Sequence, residues 1–166
     1  MNNPTKQRDL TINLFHEDVF NEYGVDEHTM LQEDLTSTIE SLSNTIKVNT
    51  KLNLNFSVNQ GINVEETKFI EAYKNTFAAN IKMKRLELSR CLTTGFSLLV
   101  VGVLLVLLNV FVFEELEKFT YEMFSVISWV FVWAAVETLT LELIQILIEI
   151  KKSKKLLKAN ITFTKK

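Results

Sequence analysis

Apolar and polar positions alternate in two early stretches, "LTINLF" (Leu10 to Phe15) and "KLNLNFSV" (Lys51 to Val58). A period of two predicts strands with one buried face. Between them Leu31, Leu35, Ile39, Leu42 and Ile46 recur at helical spacing, after a polar stretch around Asp26 to Thr29. A second amphipathic helix follows. Its start is "NVEE" (Asn63 to Glu66), an N-cap residue with Glu three positions on, and its apolar face is Phe69 or Ile70, Tyr73, Phe77 and Ile81. No Pro or Gly interrupts Val64 to Thr94, so this helix is expected to continue into the segment beyond it.

That segment changes the class of the protein. Cys91 to Phe113 is 23 residues without one Asp, Glu, Lys or Arg, whereas a bilayer is crossed by about 20 apolar residues. Met123 to Val136 adds a second uncharged run of 14 residues, and apolar character resumes beyond Glu137. From Tyr121 to Leu141 the helix would be about 30 Å long, enough to cross. The connection "EELEKFTYE" (Glu114 to Glu122) is short, so two spans can only form an antiparallel hairpin.

The expected organisation is an α+β cytosolic domain over residues 1–90 and an antiparallel two-helix transmembrane hairpin. The hairpin divides into a first transmembrane helix (91–113), an extracytoplasmic loop (114–122) and a second helix with its cytosolic extension (123–150). A basic tail (151–166) completes the chain, and its alternating Ile161 and Phe163 allow a terminal strand that pairs with the first two. Orientation follows from the excess of Lys and Arg on cytoplasmic flanks. Lys82, Lys84, Arg85 and Arg90 precede the first span, Lys151, Lys152, Lys154, Lys155 and Lys158 follow the second, and the loop has only Lys118. Both termini are therefore expected in the cytoplasm. Because the first span begins only at residue 91, behind a polar segment, it is expected to belong to the mature protein.

Composition refines this picture little. Fifteen lysines against three arginines, with abundant Asn and Ile, fit an AT-rich bacterial genome, which points to the inner membrane. One cysteine, Cys91, excludes an internal disulfide and any Cys-based zinc site, and is read as a small apolar residue at a helix–membrane junction. His16 and His28 show no metal-ligand spacing, and the carboxylates between them could bind a divalent cation but read better as a solvated acidic loop. No phosphate-binding or nucleophile motif occurs, and four glycines leave little for a phosphate-cradling loop. The chain is expected to be no enzyme and to carry no catalytic residue, no metal and no cofactor.

The membrane segments offer more. Gly95, Gly102 and Asn109 are spaced by seven and form one stripe, a packing seam where small residues let helices approach and an amide seeks a partner. Trp129, Trp133 and Glu137 cover about 80° of arc on the second helix, and the polar face continues to Glu142, Gln145 and Glu149. A carboxylate facing lipid costs roughly 2.5–3.5 kcal/mol, so it turns toward other helices or water, or reaches the headgroups from the end of the span. A two-helix pair cannot enclose a pore. Any channel needs several copies, which would place Glu137, Glu142 and Glu149 in acidic rings favouring cations.

"FIEAYKNTFAANIKMKRLELSRC" with its glycine-containing span, and "ISWVFVWAAVETL" with its basic ending, resemble small bacterial two-span membrane proteins over about residues 63–166. Some of these look like membrane effectors of anti-phage systems, among them the channel partner of the Hailong system. Ala134 stands where that pattern often places a glutamate directly after the second tryptophan. The resemblance implies a homo-oligomeric, gated ion channel in abortive infection and a nucleotide or oligonucleotide ligand at the cytosolic domain. Lys68, Lys74, Lys82 and Lys84 could contact its phosphates, or could equally be a solvated helix flank. The other reading is a membrane-anchored adaptor that recruits a cytosolic partner protein without conducting ions.

Overall fold

The computed structural model describes residues 7–14, 19–21, 29–47, 50–59, 64–111 and 118–165. Outside them lie His16, His28, the acidic positions Glu17, Asp18, Glu22, Asp26 and Glu27, the N-cap residue Asn63, and 112–117 of the connection between the apolar runs. The elements are β1 (Gln7–Leu14), α1 (Glu33–Asn44), β2 (Lys51–Val58), α2 (Glu66–Phe111), α3 (Lys118–Glu137), α4 (Leu143–Leu157) and β3 (Asn160–Lys165). A five-residue π-helical turn, Thr138–Glu142, joins α3 to α4. The chain divides into two compact units, 1–83 with 149–166, and 84–148.

In the first unit the three strands form one sheet in the order β1-β2-β3, and both pairings are parallel. The terminal strand does join the sheet, with Asn53 opposite Asn160 and Phe56 opposite Phe163. The parallel sense departs from what an α+β label implies. Its cause is the connectivity, because parallel neighbours need a crossover: α1 supplies one between β1 and β2, and the whole course from α2 through α4 lies between β2 and β3.

Alternation in β2 buries Leu52, Leu54, Phe56 and Val58. They pack with Ile39 of α1, Phe69, Tyr73 and Phe77 of α2, and Leu156 of α4. Phe56 and Phe69 meet edge-on with ring centres 4.8 Å apart, and Phe69 meets Phe163 at 5.4 Å. Edge-on pairs of this kind add about 0.5–1.5 kcal/mol beyond the area they bury. The alternate β2 positions carry polar side chains. There Asn53 donates to Asp9 (2.8 Å), and Asn55 accepts from Thr164 (2.7 Å). Such alternation is why the strands were legible one by one.

Tyr73 and Lys155 tie helices to one another. The buried Tyr73 hydroxyl donates to the Leu156 carbonyl at 2.9 Å, and burial pushes the phenol well above its ordinary range. The Lys155 ammonium donates to the carbonyls of Ile46 and Lys47, both at 3.2 Å, satisfying backbone acceptors just past the end of α1. Burial lowers the pKa of this lysine.

The second unit has the opposite character. Its large exposed apolar side chains run from Leu86 to Ile148. Two helices, Glu66–Phe111 and Phe119–Leu157, are long and apolar enough to cross a membrane, and only 17% and 11% of their most apolar windows is buried. A core helix of a water-soluble protein would be mostly covered.

Candidate functional site

Within residues 84–148 one face of α2 is covered. Cys91, Gly95, Gly102 and Asn109 are buried, while Phe96, Val100, Leu104, Leu107 and Phe111 are exposed. The stripe read from the seven-residue spacing is thus the contacting face. A Cβ added to Gly95 would stand 2.6 Å from Cγ and Cδ2 of Leu139, and one added to Gly102 would stand 2.8 Å from Cγ2 of Val132 and 3.1 Å from its backbone nitrogen. Moving seven residues forward along α2 moves the contact seven residues back, from Leu139 to Val132. At Gly102, where the neighbour is backbone, nothing larger than glycine lets the two helices approach so closely.

On α3 the matching face carries Ser128 and Ala135, both buried, and the Ser128 hydroxyl donates to its own helix at Phe124 (2.7 Å). Asn109 is 5% exposed, and its amide oxygen has no hydrogen-bond partner among the described residues. The amide therefore reaches the seam but finds no donor there for its oxygen.

Trp129 and Trp133 are each 68% exposed, and Glu137 is exposed as well. Nine residues separate Ser128 from Glu137, which puts the carboxylate about 180° round the helix from the seam. The Trp-Trp-Glu face is thus among the faces that this pair of helices leaves uncovered. Glu137 is also the last α-helical residue before the π-helical turn. In that turn Thr140 donates its hydroxyl to the Val136 carbonyl (2.6 Å), and the Thr138 carbonyl accepts both Leu143 N–H and the Cys91 thiol (3.4 Å). Hydroxyl-to-backbone bonds of this kind compete with the regular ladder, and π-helical turns recur at functional sites. Glu142 closes the turn and is exposed; Glu149 lies in α4 and belongs to the other unit.

The four lysines proposed from the sequence lie in different local surroundings. Lys68 stands 5.0 Å from the Phe20 ring centre, as a cation–π pair. Lys74 lines a separate groove with Thr67, Glu71 and Asn75, Lys82 is exposed, and Lys84 pairs with Glu87 at 2.8 Å. Lys51, Lys155 and Lys158 line one cavity between the start of β2 and the end of α4. The signal for them was the terminal strand: pairing Asn160 with Asn53 brings the lysine-rich tail beside Lys51.

Among the described residues no cluster of His, Cys, Asp or Glu is arranged to hold a metal ion. Compared with protein-family profiles, curated proteins and solved structures, the chain matches none.

Proposed function

We propose that this chain is the subunit of an oligomeric effector of the bacterial inner membrane, in which α2 and α3 form an antiparallel transmembrane hairpin and several copies enclose a gated cation path. The supporting observation is the uncovered Trp129, Trp133 and Glu137 face, opposite a seam already filled by Gly95 and Gly102. A carboxylate on the outer face of an apolar hairpin needs water or other protein. Sister subunits supply both when they surround a pore, with Glu137 and Glu142 at its lining. The three-stranded unit is then a cytoplasmic sensor that responds to a ligand or partner, with both termini on that side, and the assembly acts in anti-phage defence by depolarising the infected cell.

The test is membrane depolarisation on expression in bacteria, with Glu137→Gln and Glu137→Leu compared with wild type, and copy number measured in nanodiscs. Wild type is expected to depolarise, and both variants to lose conduction while still inserting. A monomer in nanodiscs, or equal depolarisation by Glu137→Leu, removes the channel reading. The chain would then be the anchored adaptor, whose hairpin is replaceable by an unrelated one.

A further inference from the structure

The cavity at the junction of β2 and α4 has a volume of about 410 Å³, within the range of small-molecule sites. Lys51, Lys155 and Lys158 line it with Thr50, Leu52, Asn53 and Asn160, and no Asp or Glu is among its described lining residues. Asp9 is engaged with the Asn53 amide (2.8 Å).

Three lysines line one cavity with no carboxylate among its described lining residues, so an anion entering it meets net positive charge. Lys155 is held in place, since two of its three N–H groups donate to the Ile46 and Lys47 carbonyls. One N–H remains, on a side chain whose position is fixed before any ligand arrives. Lys51 and Lys158 are exposed, with flexible stems that can close on a ligand. The amides and the threonine hydroxyl add neutral donors. This combination, several positive side chains with small polar donors and no acid among the lining residues, matches the needs of a phosphate group.

We propose that this cavity is a binding site for a phosphate-bearing anion, held by Lys51, Lys155 and Lys158. The site draws on strand β2, the end of α4 and the chain after it, so occupation clamps β3 against the rest of the sheet. It does not depend on whether the apolar helices conduct ions. The phosphate has two sources, a soluble phosphate ester or a lipid headgroup.

The test uses the full chain in phosphatidylcholine nanodiscs, titrated with inorganic pyrophosphate by calorimetry. Lys51→Gln with Lys158→Gln is compared with Lys68→Gln with Lys82→Gln, which removes the same charge elsewhere; Lys155 is left alone because it supports the fold. Wild type and the Lys68/Lys82 variant are expected to bind alike, and each lysine lost from the cavity weakens binding roughly tenfold, the worth of a charged hydrogen bond. A repeat in phosphatidylglycerol nanodiscs separates the sources: abolished pyrophosphate binding assigns the site to lipid phosphate, and unchanged binding assigns it to a soluble ester. No pyrophosphate binding in phosphatidylcholine nanodiscs, or equal weakening in both double variants, overturns the proposal.

Discussion

Adding one methyl group at each seam glycine separates two kinds of close contact. At Gly95 the three atoms nearest the new carbon all belong to the Leu139 side chain, the closest at 2.6 Å. Turning the leucine side chain about 30° off its rotamer costs about 0.5–1.5 kcal/mol. At Gly102 the clash with Val132 Cγ2 at 2.8 Å can be relieved in the same way, but the 3.1 Å approach to the Val132 backbone nitrogen cannot. There the helices must part by a few tenths of an ångström, and overpacking of this sort costs about 1–3 kcal/mol. Both variants recover up to about 1 kcal/mol from the better helix propensity of alanine. Gly95→Ala should thus be nearly neutral and Gly102→Ala should cost about 1–2 kcal/mol, although the shorter distance is at Gly95. The buried single cysteine, Cys91, provides the readout, since a water-soluble maleimide reaches it only when the seam opens. In dodecyl sulfate titrations where labelling follows the opening equilibrium, Gly102→Ala should label about 5–30 times faster than wild type. Gly95→Ala should stay close to wild type. A larger effect at Gly95 than at Gly102 would refute the reasoning.

Tyr73 should make the first unit alkali-sensitive. Its phenol is neutral in the fold with a pKa raised above the ordinary 10.0, so the associated stability is intact below that value and is lost as pH rises through the folded one, by up to about 1.4 kcal/mol per pH unit. Melting curves from neutral to alkaline pH should show Tyr73→Phe about 0.5–1.5 kcal/mol less stable at neutral pH, with a shallower decline as pH rises above 10; parallel declines would discount the phenol. Ser57 is 3% exposed and its hydroxyl oxygen has no partner among the described residues. Ser57→Ala should leave the melting temperature unchanged or raise it, by up to about 1 kcal/mol in stability, because no hydrogen bond is lost. A clear drop would mean that the hydroxyl has a partner.

The readable parts of the fold were those in which side-chain chemistry repeats with the backbone. The β2 limits read from "KLNLNFSV" are those observed, and Ile39, Phe69, Tyr73 and Phe77 occupy the core their spacing assigned them. The unbroken run from Val64 predicted a helix continuing past Thr94, as α2 does. Strand direction was not readable, since alternation marks a buried face and carries no sign of which way a neighbour runs. The grouping of Lys51 with Lys155 and Lys158 needed the β2–β3 register, a contact between positions more than a hundred residues apart. Asn109 was legible as a seam residue, but whether its oxygen meets a donor depends on tenths of an ångström that spacing does not encode.

The turn from Thr138 to Glu142 means that this helix carries one residue more than its axis requires. Hydrogen bonds that skip five positions in place of four absorb the surplus locally, and the segments on either side keep their facing. Losing a single residue inside this turn would collapse it to ordinary winding with both flanks undisturbed, whereas a loss anywhere else in α3 or α4 would spin the remainder by about 100°. The chain thus has one place along some forty residues where its length can drift by a codon without rewriting which side chains meet.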